Sequence, residues 1–363
     1  MGKPVRVLIV DDSAVMRKLL TTLLSADPEI EVVGTAPDPF VARDRIKALD
    51  PDVITLDVEM PNMDGLTFLH KIMTLRPMPV IMVSTLTQAG AETTLEALEI
   101  GAVDFVAKPT SNSAAAMEDV AGELQAKVKA AAHIRVGVRR AAPPVRPRRR
   151  ERPAGAAGKI IAIGASTGGV EALKLLLMGL PAGSPPVLIS QHMPPRFTAA
   201  FAQRLDRECA MTISEALHNE VVEPGHVYIA PGSHHLELAY TGGRYRCCLG
   251  DGPRVSGHRP SVDVLFRSVA RVAGRIAIGA ILTGMGKDGA QGLLELRQAG
   301  GITLGQDEAS SLVYGMPRVA FELGAVMRQY SLAHMADAIL DACDAVTTSK
   351  TPETGPNRVA GAV

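Results

Sequence analysis

The stretch that decides the fold is Lys159-Ile160-Ile161-Ala162-Ile163-Gly164-Ala165-Ser166-Thr167-Gly168-Gly169. It is an apolar, strand-like run that ends abruptly in a serine within a glycine-flanked turn. Small neighbours permit a sharp turn that leaves the Ser166 hydroxyl exposed, and the N–H groups of a following helix would face whatever that hydroxyl attacks. The short pattern Gly164-x-Ser166-x-Gly168 also occurs in purely structural turns. Alone, the stretch indicates a strand, a turn and a helix with a candidate nucleophile between them.

Two further strand ends strengthen this interpretation. His192 follows the apolar run 187–190, and Asp288 follows the apolar run 278–282. Because the carboxyl ends of parallel strands lie at one edge of a sheet, Ser166, His192 and Asp288 are expected to lie close together. A serine hydroxyl is a poor nucleophile near neutral pH, so we expect His192 to take its proton and Asp288 to orient the imidazole. The sequence predicts a serine hydrolase.

The oxyanion of such a reaction needs backbone donors. Candidates are the N–H groups around Met285 and Gly286, or those of Thr167 and Gly168. The chain order serine, histidine, aspartate differs from the serine, aspartate, histidine order of α/β-hydrolases, so the short serine motif does not imply that fold.

Other histidines compete with His192 less well, because only His192 follows a strand on the same edge as Ser166. The pair His234-His235 is a weak metal candidate without a carboxylate or cysteine partner at a matching spacing. Ser261 is expected to cap the following helix. The segment His258-Arg259-Pro260 could also reach a carboxylate-bearing substrate.

The chain has 363 residues, which is long for one domain and comfortable for two. Residues 1–133 carry 12 Lys/Arg against 19 Asp/Glu, residues 134–158 carry 8 against 1, and residues 159–363 carry 18 against 18. The basic stretch is also rich in proline, alanine and glycine, as linkers are. We expect a first module at 1–133, a linker at 134–158, a second module at 159–347 and a flexible tail at 348–363.

Both modules alternate strand-like and helix-like patterns. In the first, the predicted strands are Val5–Val10, Glu31–Thr35, Val53–Asp57, Val80–Ser84 and Val103–Val106, and the predicted helices are Ala14–Ser25, Leu66–Arg76, Thr93–Ile100 and Ala114–Ala132. In the second, strands are predicted at 159–163, 186–190, 276–282 and 301–306, with a β-rich insert at 211–248 and a closing helix near 331–345. The expected fold class is α/β, with a doubly wound five-stranded parallel sheet followed by a second doubly wound domain.

Carboxylates collect at strand ends of the first module. Asp11 and Asp12 follow the first strand, and Asp57 ends the third. Three close carboxylates repel one another unless a cation lies between them, and oxygen ligands suit Mg²⁺. The pattern therefore predicts a Mg²⁺ site at Asp11, Asp12 and Asp57, with Asp57 as the nucleophile that accepts a phosphoryl group.

Three more residues complete the predicted phosphorylation switch. Ser84 ends the fourth strand and can donate a hydrogen bond to a phosphoryl oxygen, and Lys108 follows the fifth strand and can pair with the same group. Phe105 lies three residues before Lys108 and can rotate with the switch. All three lie at the same sheet edge as Asp57.

These motifs carry two family resemblances. The pair Asp11-Asp12, the run Leu56-Asp57-Val58-Glu59-Met60-Pro61-x-Met63-Asp64-Gly65, Ser84 and Lys108-Pro109 resemble response-regulator receiver domains over residues 4–130. That resemblance implies Mg²⁺-dependent phosphorylation of Asp57 by a histidine kinase.

The second module, and the whole arrangement over residues 4–345, resembles the chemotaxis protein-glutamate methylesterases. The resemblance rests on five motifs: 164–169, 190–194, 228–232, 259–263 and 282–289. It implies hydrolysis of glutamate γ-methyl esters on chemoreceptors with release of methanol, and deamidation of certain receptor glutamines. The implied partners are the pathway's histidine kinase and the cytoplasmic helices of methyl-accepting receptors, and no cofactor is implied at the esterase site.

Other function classes fit less well. Aromatic residues make up 3% of the chain and tryptophan is absent, so stacking platforms for nucleic acid are scarce. An Arg-rich linker could hold DNA in a DNA-binding response regulator, but the neutral second module has no helix-turn-helix pattern. A dinucleotide-binding loop needs glycine at the position of Ser166. The same chemistry, or an idle adaptor, in a non-chemotactic two-component pathway stays open, although the intact Ser166, His192 and Asp288 argue against idleness.

Two further features of the sequence indicate where the protein resides. No apolar run approaches the ~18 residues of a membrane span, and the N-terminal apolar run 5–10 is too short for a signal peptide. The four cysteines show no metal-ligand spacing, as expected for reduced thiols. We therefore expect a cytoplasmic protein without membrane insertion.

Overall fold

The computed structural model describes residues 3–60, 63–85, 87–109, 114–134 and 158–345. Most of the expected linker and the whole expected tail lie outside these residues. Within them the chain forms two α/β domains, each built on a parallel sheet, and the expected fold class is confirmed. Among the described helices, none combines the length and apolar character that crossing a bilayer requires.

The first domain is a five-stranded parallel sheet in the order β2-β1-β3-β4-β5, with helices on both faces. Its elements are β1 (Val5–Val10), α1 (Ala14–Ser25), β2 (Ile30–Ala36), α2 (Pro39–Leu49), β3 (Val53–Asp57), α3 (Gly65–Leu75), β4 (Val80–Ser84), α4 (Gln88–Ile100), β5 (Asp104–Ala107) and α5 (Ala114–Ala132). The central strand β3 is buried at every position, and its apolar residues Val53, Ile54 and Leu56 lie on both faces of the sheet.

The second domain is a seven-stranded parallel sheet in the order β14-β13-β12-β6-β7-β9-β8, with a separate hairpin of β10 and β11. Its elements are β6 (Ile160–Ala165), α6 (Gly169–Met178), β7 (Val187–Gln191), α7 (Phe197–Glu208), β8 (Thr212–Glu215), β9 (His226–Ile229), β10 (His235–Thr241), β11 (Arg244–Gly250), α8 (Val262–Val272), β12 (Ala277–Ile281), α9 (Ala290–Gln298), β13 (Ile302–Gln306), α10 (Met316–Glu322), β14 (Arg328–Tyr330) and α11 (Leu332–Ala345).

The strand order of this sheet contains a switch point. From β6 the chain proceeds to β7 on one side, and it returns later to place β12 on the other side. Connections from β6 and β12 therefore leave the sheet in opposite directions and open a crevice at its carboxyl edge. Open α/β sheets bind ligands at such crevices.

Some local details add to the predictions or differ from them. The region 211–248 is β-rich as predicted, with β8 and β9 extending the main parallel sheet and β10 and β11 forming the hairpin. Helix α4 begins five residues before the predicted start, because the Thr87 hydroxyl accepts the Gly90 N–H and caps it. Strand β14 went unpredicted, because three polar or half-buried residues at a sheet edge show no apolar pattern.

Close packing of α8 on β6 yields a stability prediction. A methyl group added at Gly164 would lie 2.1 Å from the Val262 side chain, so we expect Gly164→Ala to destabilise the fold by about 1–3 kcal/mol. Gly250→Ala is the matched control, since its added methyl meets only a Glu237 oxygen at 3.9 Å. Urea unfolding of both variants measures the difference, and equal midpoints would contradict the packing described here.

Candidate active site and phosphoacceptor site

The three predicted catalytic residues lie around the switch point of the seven-stranded sheet. Ser166 follows β6, His192 follows β7, and Asp288 follows β12. Main-chain hydrogen bonds join these strand ends: the His192 N–H donates to the Ala165 carbonyl at 3.1 Å, and the Ser166 N–H donates to the Thr283 carbonyl at 3.0 Å. The loops that carry the three side chains are therefore fixed to one another by the backbone.

Asp288 is the most heavily bonded carboxylate of the site. It is buried at the N-terminus of α8, where one oxygen accepts the N–H of Val262 at 2.7 Å and the other accepts the N–H of Asp263 at 3.0 Å. The Ser261 hydroxyl donates at 2.8 Å, and His192 Nε2 lies 2.7 Å away. Burial opposes ionisation, but the His192 contact and these N–H donors outweigh it and lower the pKa of Asp288.

The contact between His192 Nε2 and Asp288 indicates which ring nitrogen of His192 carries a proton. Because Asp288 is held ionised, Nε2 carries the proton and donates it to the carboxylate. The other ring nitrogen, Nδ1, is buried and has no hydrogen-bond partner among the described residues. An unprotonated ring nitrogen with no other partner is suited to accept a proton.

Ser166 is half-buried, and within residues 158–345 no hydrogen bond joins its hydroxyl to the His192 ring. The two residues are nevertheless tied together by Gln191. Its side-chain amide donates to the Ser166 carbonyl at 3.0 Å and to the His192 carbonyl at 3.1 Å. Catalytic hydrogen bonds are often long in ligand-free enzymes and shorten when substrate binds.

Backbone donors are present where the oxyanion was expected. Among the described residues, the N–H groups of Thr167, Met285 and Gly286 have no hydrogen-bond acceptor. Thr167 follows Ser166 directly, while Met285 and Gly286 lie in the loop after β12 that leads to Asp288. These N–H groups are thus available to a developing oxyanion.

Sequence reasoning missed two contributions. Gln191 belongs to the motif 190–194, yet it bridges the loops of Ser166 and His192 while almost fully buried. Ser261 caps α8 as predicted, but its hydroxyl also donates to Asp288. A buried glutamine directly before the candidate histidine was the available signal for the first, and none existed for the second.

The first domain covers the Ser166 side of the crevice. A cavity of about 210 Å³ is lined on one side by Ser166, Gln191 and neighbouring residues, and on the other by Leu98, Asp104 and Phe105 of the first domain. The Thr167 hydroxyl donates to Asp104 at 2.5 Å, and both residues are buried. The residue after the candidate nucleophile is therefore held by the first domain.

Ion pairs and stacked rings extend this contact. Lys174 Nζ lies 2.7 Å from a Glu99 oxygen, and Arg204 pairs with the other oxygen of Glu99. Phe105 stacks on Phe197 with ring centroids 4.5 Å apart, so the predicted switch residue lies in the domain contact itself.

A half-buried lysine supports the same face. Lys127 of α5 pairs with Asp104 and Glu123, and its ammonium lies 5.3 Å from the Phe105 ring centroid. Burial disfavours its charge, but the two carboxylates outweigh this effect and raise the pKa of Lys127. The lysine therefore stays charged beneath the contact.

The predicted phosphoacceptor site is assembled at the carboxyl edge of the first sheet. Oxygens of Asp11, Asp12 and Asp57 lie within 4.8 Å of one another. Lys108 Nζ lies 2.7 Å from Asp57 and 3.1 Å from Asp11. Burial, followed by the Asp11 charge, outweighs Lys108 and raises the pKa of Asp57 to about 6.

These carboxylates fit a Mg²⁺ ion. The donors are hard oxygens, Asp12 is exposed where the ion's waters would lie, and the buried Oδ2 of Asp11 is paired with the Lys108 ammonium at 3.1 Å. A divalent cation would relieve the repulsion between Asp11 and Asp57. Ser84 is buried beside this site, with its hydroxyl 3.3 Å from the Gly90 carbonyl, so it must turn to reach a phosphoryl oxygen.

Comparisons with known proteins agree with this geometry. A family model described as CheB methylesterase matches residues 161–339, and one described as response regulator receiver domain matches residues 7–118. A Caulobacter vibrioides protein named "Protein-glutamate methylesterase/protein-glutamine glutaminase 1" is 58% identical over 342 residues, covering 94% of this chain and 98% of its own. The chain belongs to the CheB methylesterase family.

Two further relatives are consistent with this membership. A Pseudomonas aeruginosa protein named "Protein-glutamate methylesterase/protein-glutamine glutaminase 2" is 56% identical, covering 93% of this chain and 96% of its own. The solved Thermotoga maritima CheB methylesterase catalytic domain is 36% identical with a TM-score of 0.50, covering 51% of this chain and 98% of its own. The expected receiver followed by a CheB methylesterase domain is confirmed, and the enzyme class with it.

The carboxylate cluster generates a prediction for the receiver domain. We expect Asp57→Asn to abolish phosphorylation by acetyl phosphate in the presence of Mg²⁺, because an amide oxygen is a far weaker nucleophile toward phosphorus than a carboxylate. Radiolabel retained on the protein measures the reaction. Asp44→Asn, an exposed change on α2, is the control. An undiminished, alkali-stable label on the Asp57 variant would place the acceptor elsewhere.

Proposed function

We propose that this protein is a phosphorylation-activated hydrolase that removes methyl groups from glutamate γ-methyl esters of chemoreceptors and deamidates receptor glutamines, so that chemotaxis signalling adapts. The observation that carries the proposal is the His192–Asp288 pair beside Ser166, at a sheet crevice that a receiver domain covers. Relatives named for both activities over nearly the whole chain support it.

In the proposed mechanism the Ser166 oxygen attacks the γ-carbonyl carbon while His192 Nδ1 takes the hydroxyl proton. Asp288 stabilises the imidazolium that forms, through the hydrogen bond to Nε2. The N–H groups of Thr167, Met285 and Gly286 donate to the oxyanion of the tetrahedral intermediate. The imidazolium then returns the proton to the leaving group, which departs as methanol from an ester or as ammonia from an amide.

The resulting acyl-enzyme is hydrolysed in a second step, in which His192 again acts first as a base and then as an acid. His192 removes a proton from water, the hydroxide attacks the acyl carbon, and the Ser166 oxygen leaves with the proton from the imidazolium. Both substrates give the same product, a free glutamate carboxylate. One site thus accounts for both activities, and no cofactor is needed for any of these steps.

The receiver domain supplies regulation in this proposal. Its phosphodonor is a histidine kinase, proposed to be that of the chemotaxis pathway, and Asp57 receives the phosphoryl group. Asp11, Asp12 and Asp57 would hold Mg²⁺, which neutralises charge on the transferred group. Ser84, Phe105 and Lys108 respond to that group. Receptor cytoplasmic helices are the proposed substrate, and the cytoplasm is accordingly the proposed location.

Inhibition by covering is the proposed coupling between the domains. Asp104 holds Thr167, and Phe105 packs on Phe197, so the face that would repack on phosphorylation is the face that closes the crevice. A ligand shifts an equilibrium only through differential contact with two states. The segment 134–158 is proposed as the linker that lets the receiver, at 1–133, separate from the esterase at 159–347.

The nucleophile assignment is tested by Ser166→Ala. We expect methanol release from methylated receptor fragments to fall by at least about 10³-fold, because the attacking oxygen is removed. Asp57 phosphorylation should be unchanged. His192→Ala should be comparably damaging, whereas Asp288→Asn should leave residual activity.

Ser190→Ala is the matched control for these variants, because Ser190 is buried in β7 next to the site and its hydroxyl has no described partner. We expect it to retain wild-type turnover. Wild-type turnover in folded Ser166→Ala would instead show that another residue is the nucleophile.

The covering hypothesis is tested by Glu99→Gln. A neutral side chain weakens the pairing with Lys174 and Arg204, so basal esterase activity of the unphosphorylated chain should rise toward that of a fragment beginning near Gly158. Glu96→Gln changes an exposed residue one turn earlier on α4 and serves as the control. A fragment that is folded but slower than the whole chain would make the receiver an activator.

A further inference from the structure

A second histidine packs on the candidate general base. The His258 ring lies face to face with the His192 ring, with centroids 3.6 Å apart and planes 11° from parallel. His258 takes part in none of the steps described above. It reaches His192 from the segment between β11 and α8, on a different part of the chain from the three catalytic loops.

The segment that carries His258 is held rigidly. Val255 and His258 exchange two main-chain hydrogen bonds, of 3.0 and 2.9 Å, around a tight turn. Ser256 and Gly257 occupy this turn with φ of 53° and 84°, values that suit a two-residue turn of this hand. The ring of His258 therefore starts from a defined backbone position.

A third histidine braces both ends of the segment. The Ser261 N–H donates to His235 Nδ1 at 3.1 Å, so that nitrogen is unprotonated. Its Nε2 must then carry the proton, which it donates to the Pro253 carbonyl at 3.0 Å. Because His235 is buried, this bridge fixes the segment on both sides of His258. His235, which the sequence offered with His234 as a weak metal candidate, therefore has a structural role.

The electrostatic surroundings keep His258 neutral. The titratable groups that face it are His192 and Asp288 of the esterase domain, and Glu123 and Lys127 of receiver helix α5. Burial, followed by His192, outweighs the two carboxylates and lowers the pKa of His258 to about 4. A neutral ring adds no positive charge beside the imidazolium that His192 becomes during turnover.

We propose that His258 is a positioning residue for the reaction, whose flat ring fixes the plane of the His192 imidazole. One hydrogen bond to Asp288 leaves a range of ring tilts, because the χ2 torsion of histidine is broad. The stacked ring narrows that range and holds Nδ1 at a constant angle while it takes and returns a proton. This inference rests on the proposed role of His192 as general base.

Two variants separate stacking from titration. His258→Phe keeps a flat ring that cannot titrate, and His258→Leu keeps apolar bulk without a flat ring. The assay uses the full chain with acetyl phosphate and Mg²⁺, and p-nitrophenyl acetate as the ester. We expect the leucine variant to lower kcat by about 10-fold to 100-fold with little change in KM, the range of a misplaced catalytic group. The phenylalanine variant should recover most of this loss with an unchanged pH profile.

Controls distinguish positioning from loss of stability. His226→Ala removes another stacked histidine of the same domain, one that lies on Tyr228 with centroids 4.2 Å apart, and should lower the melting temperature without lowering kcat. A leucine variant at wild-type kcat overturns the proposal. A folded phenylalanine variant with a kcat as low as that of His192→Ala also overturns the proposal, at any kcat of the leucine variant. Wild-type turnover by Ser166→Ala would instead refute the proposed nucleophile.

Discussion

The buried carboxylate of Asp288 is the interaction on which the rest of the esterase site depends. Its two oxygens receive two backbone N–H groups of the first turn of α8, one hydroxyl and one imidazole. An ionised carboxylate is costly to bury unless it is hydrogen-bonded this fully, and a helix N-terminus lowers that cost further. Because the carboxylate stays charged, the Nε2–H of His192 has a fixed acceptor, and Nδ1 on the other side of the ring has no hydrogen-bond partner among the described residues.

The N-terminus of α8 reaches Asp288 only because of the order of the strands in the sheet. The aspartate comes from the end of β12 and its donors from the start of α8, the helix that precedes β12 in the chain. Both meet the serine strand only because β6 lies between β12 and β7 in the sheet. The close approach of Val262 to Gly164 brings α8 onto β6. The strand order of the sheet therefore determines which side chains meet at the site.

Those parts of the fold that leave a local sequence pattern could be predicted from the sequence. The apolar runs before Ser166, His192 and Asp288 located the strands and their shared edge, and the carboxylates of the first domain located its site. The catalytic roles of these residues remain predictions. Contacts made by distant segments left no local signal: the stack of His258 on His192 and the second hydrogen bond of Ser261 depend on tertiary packing. The edge strand β14 was missed because Arg328, Gln329 and Tyr330 are exposed or half-buried and show no apolar pattern.

The contact between the domains has to be weak to be useful. Shifting a two-state equilibrium from 1:99 to 99:1 takes a differential interaction of about 5.5 kcal/mol. Partly exposed ion pairs such as Glu99–Lys174 contribute only about 0–1 kcal/mol each, whereas the buried Thr167–Asp104 bond and the stacked phenylalanines contribute more. Asp104 and Phe105 belong to the strand that leads to Lys108. In the proposed coupling, a phosphoryl group that repositions Lys108 would therefore act directly on the strongest part of the contact.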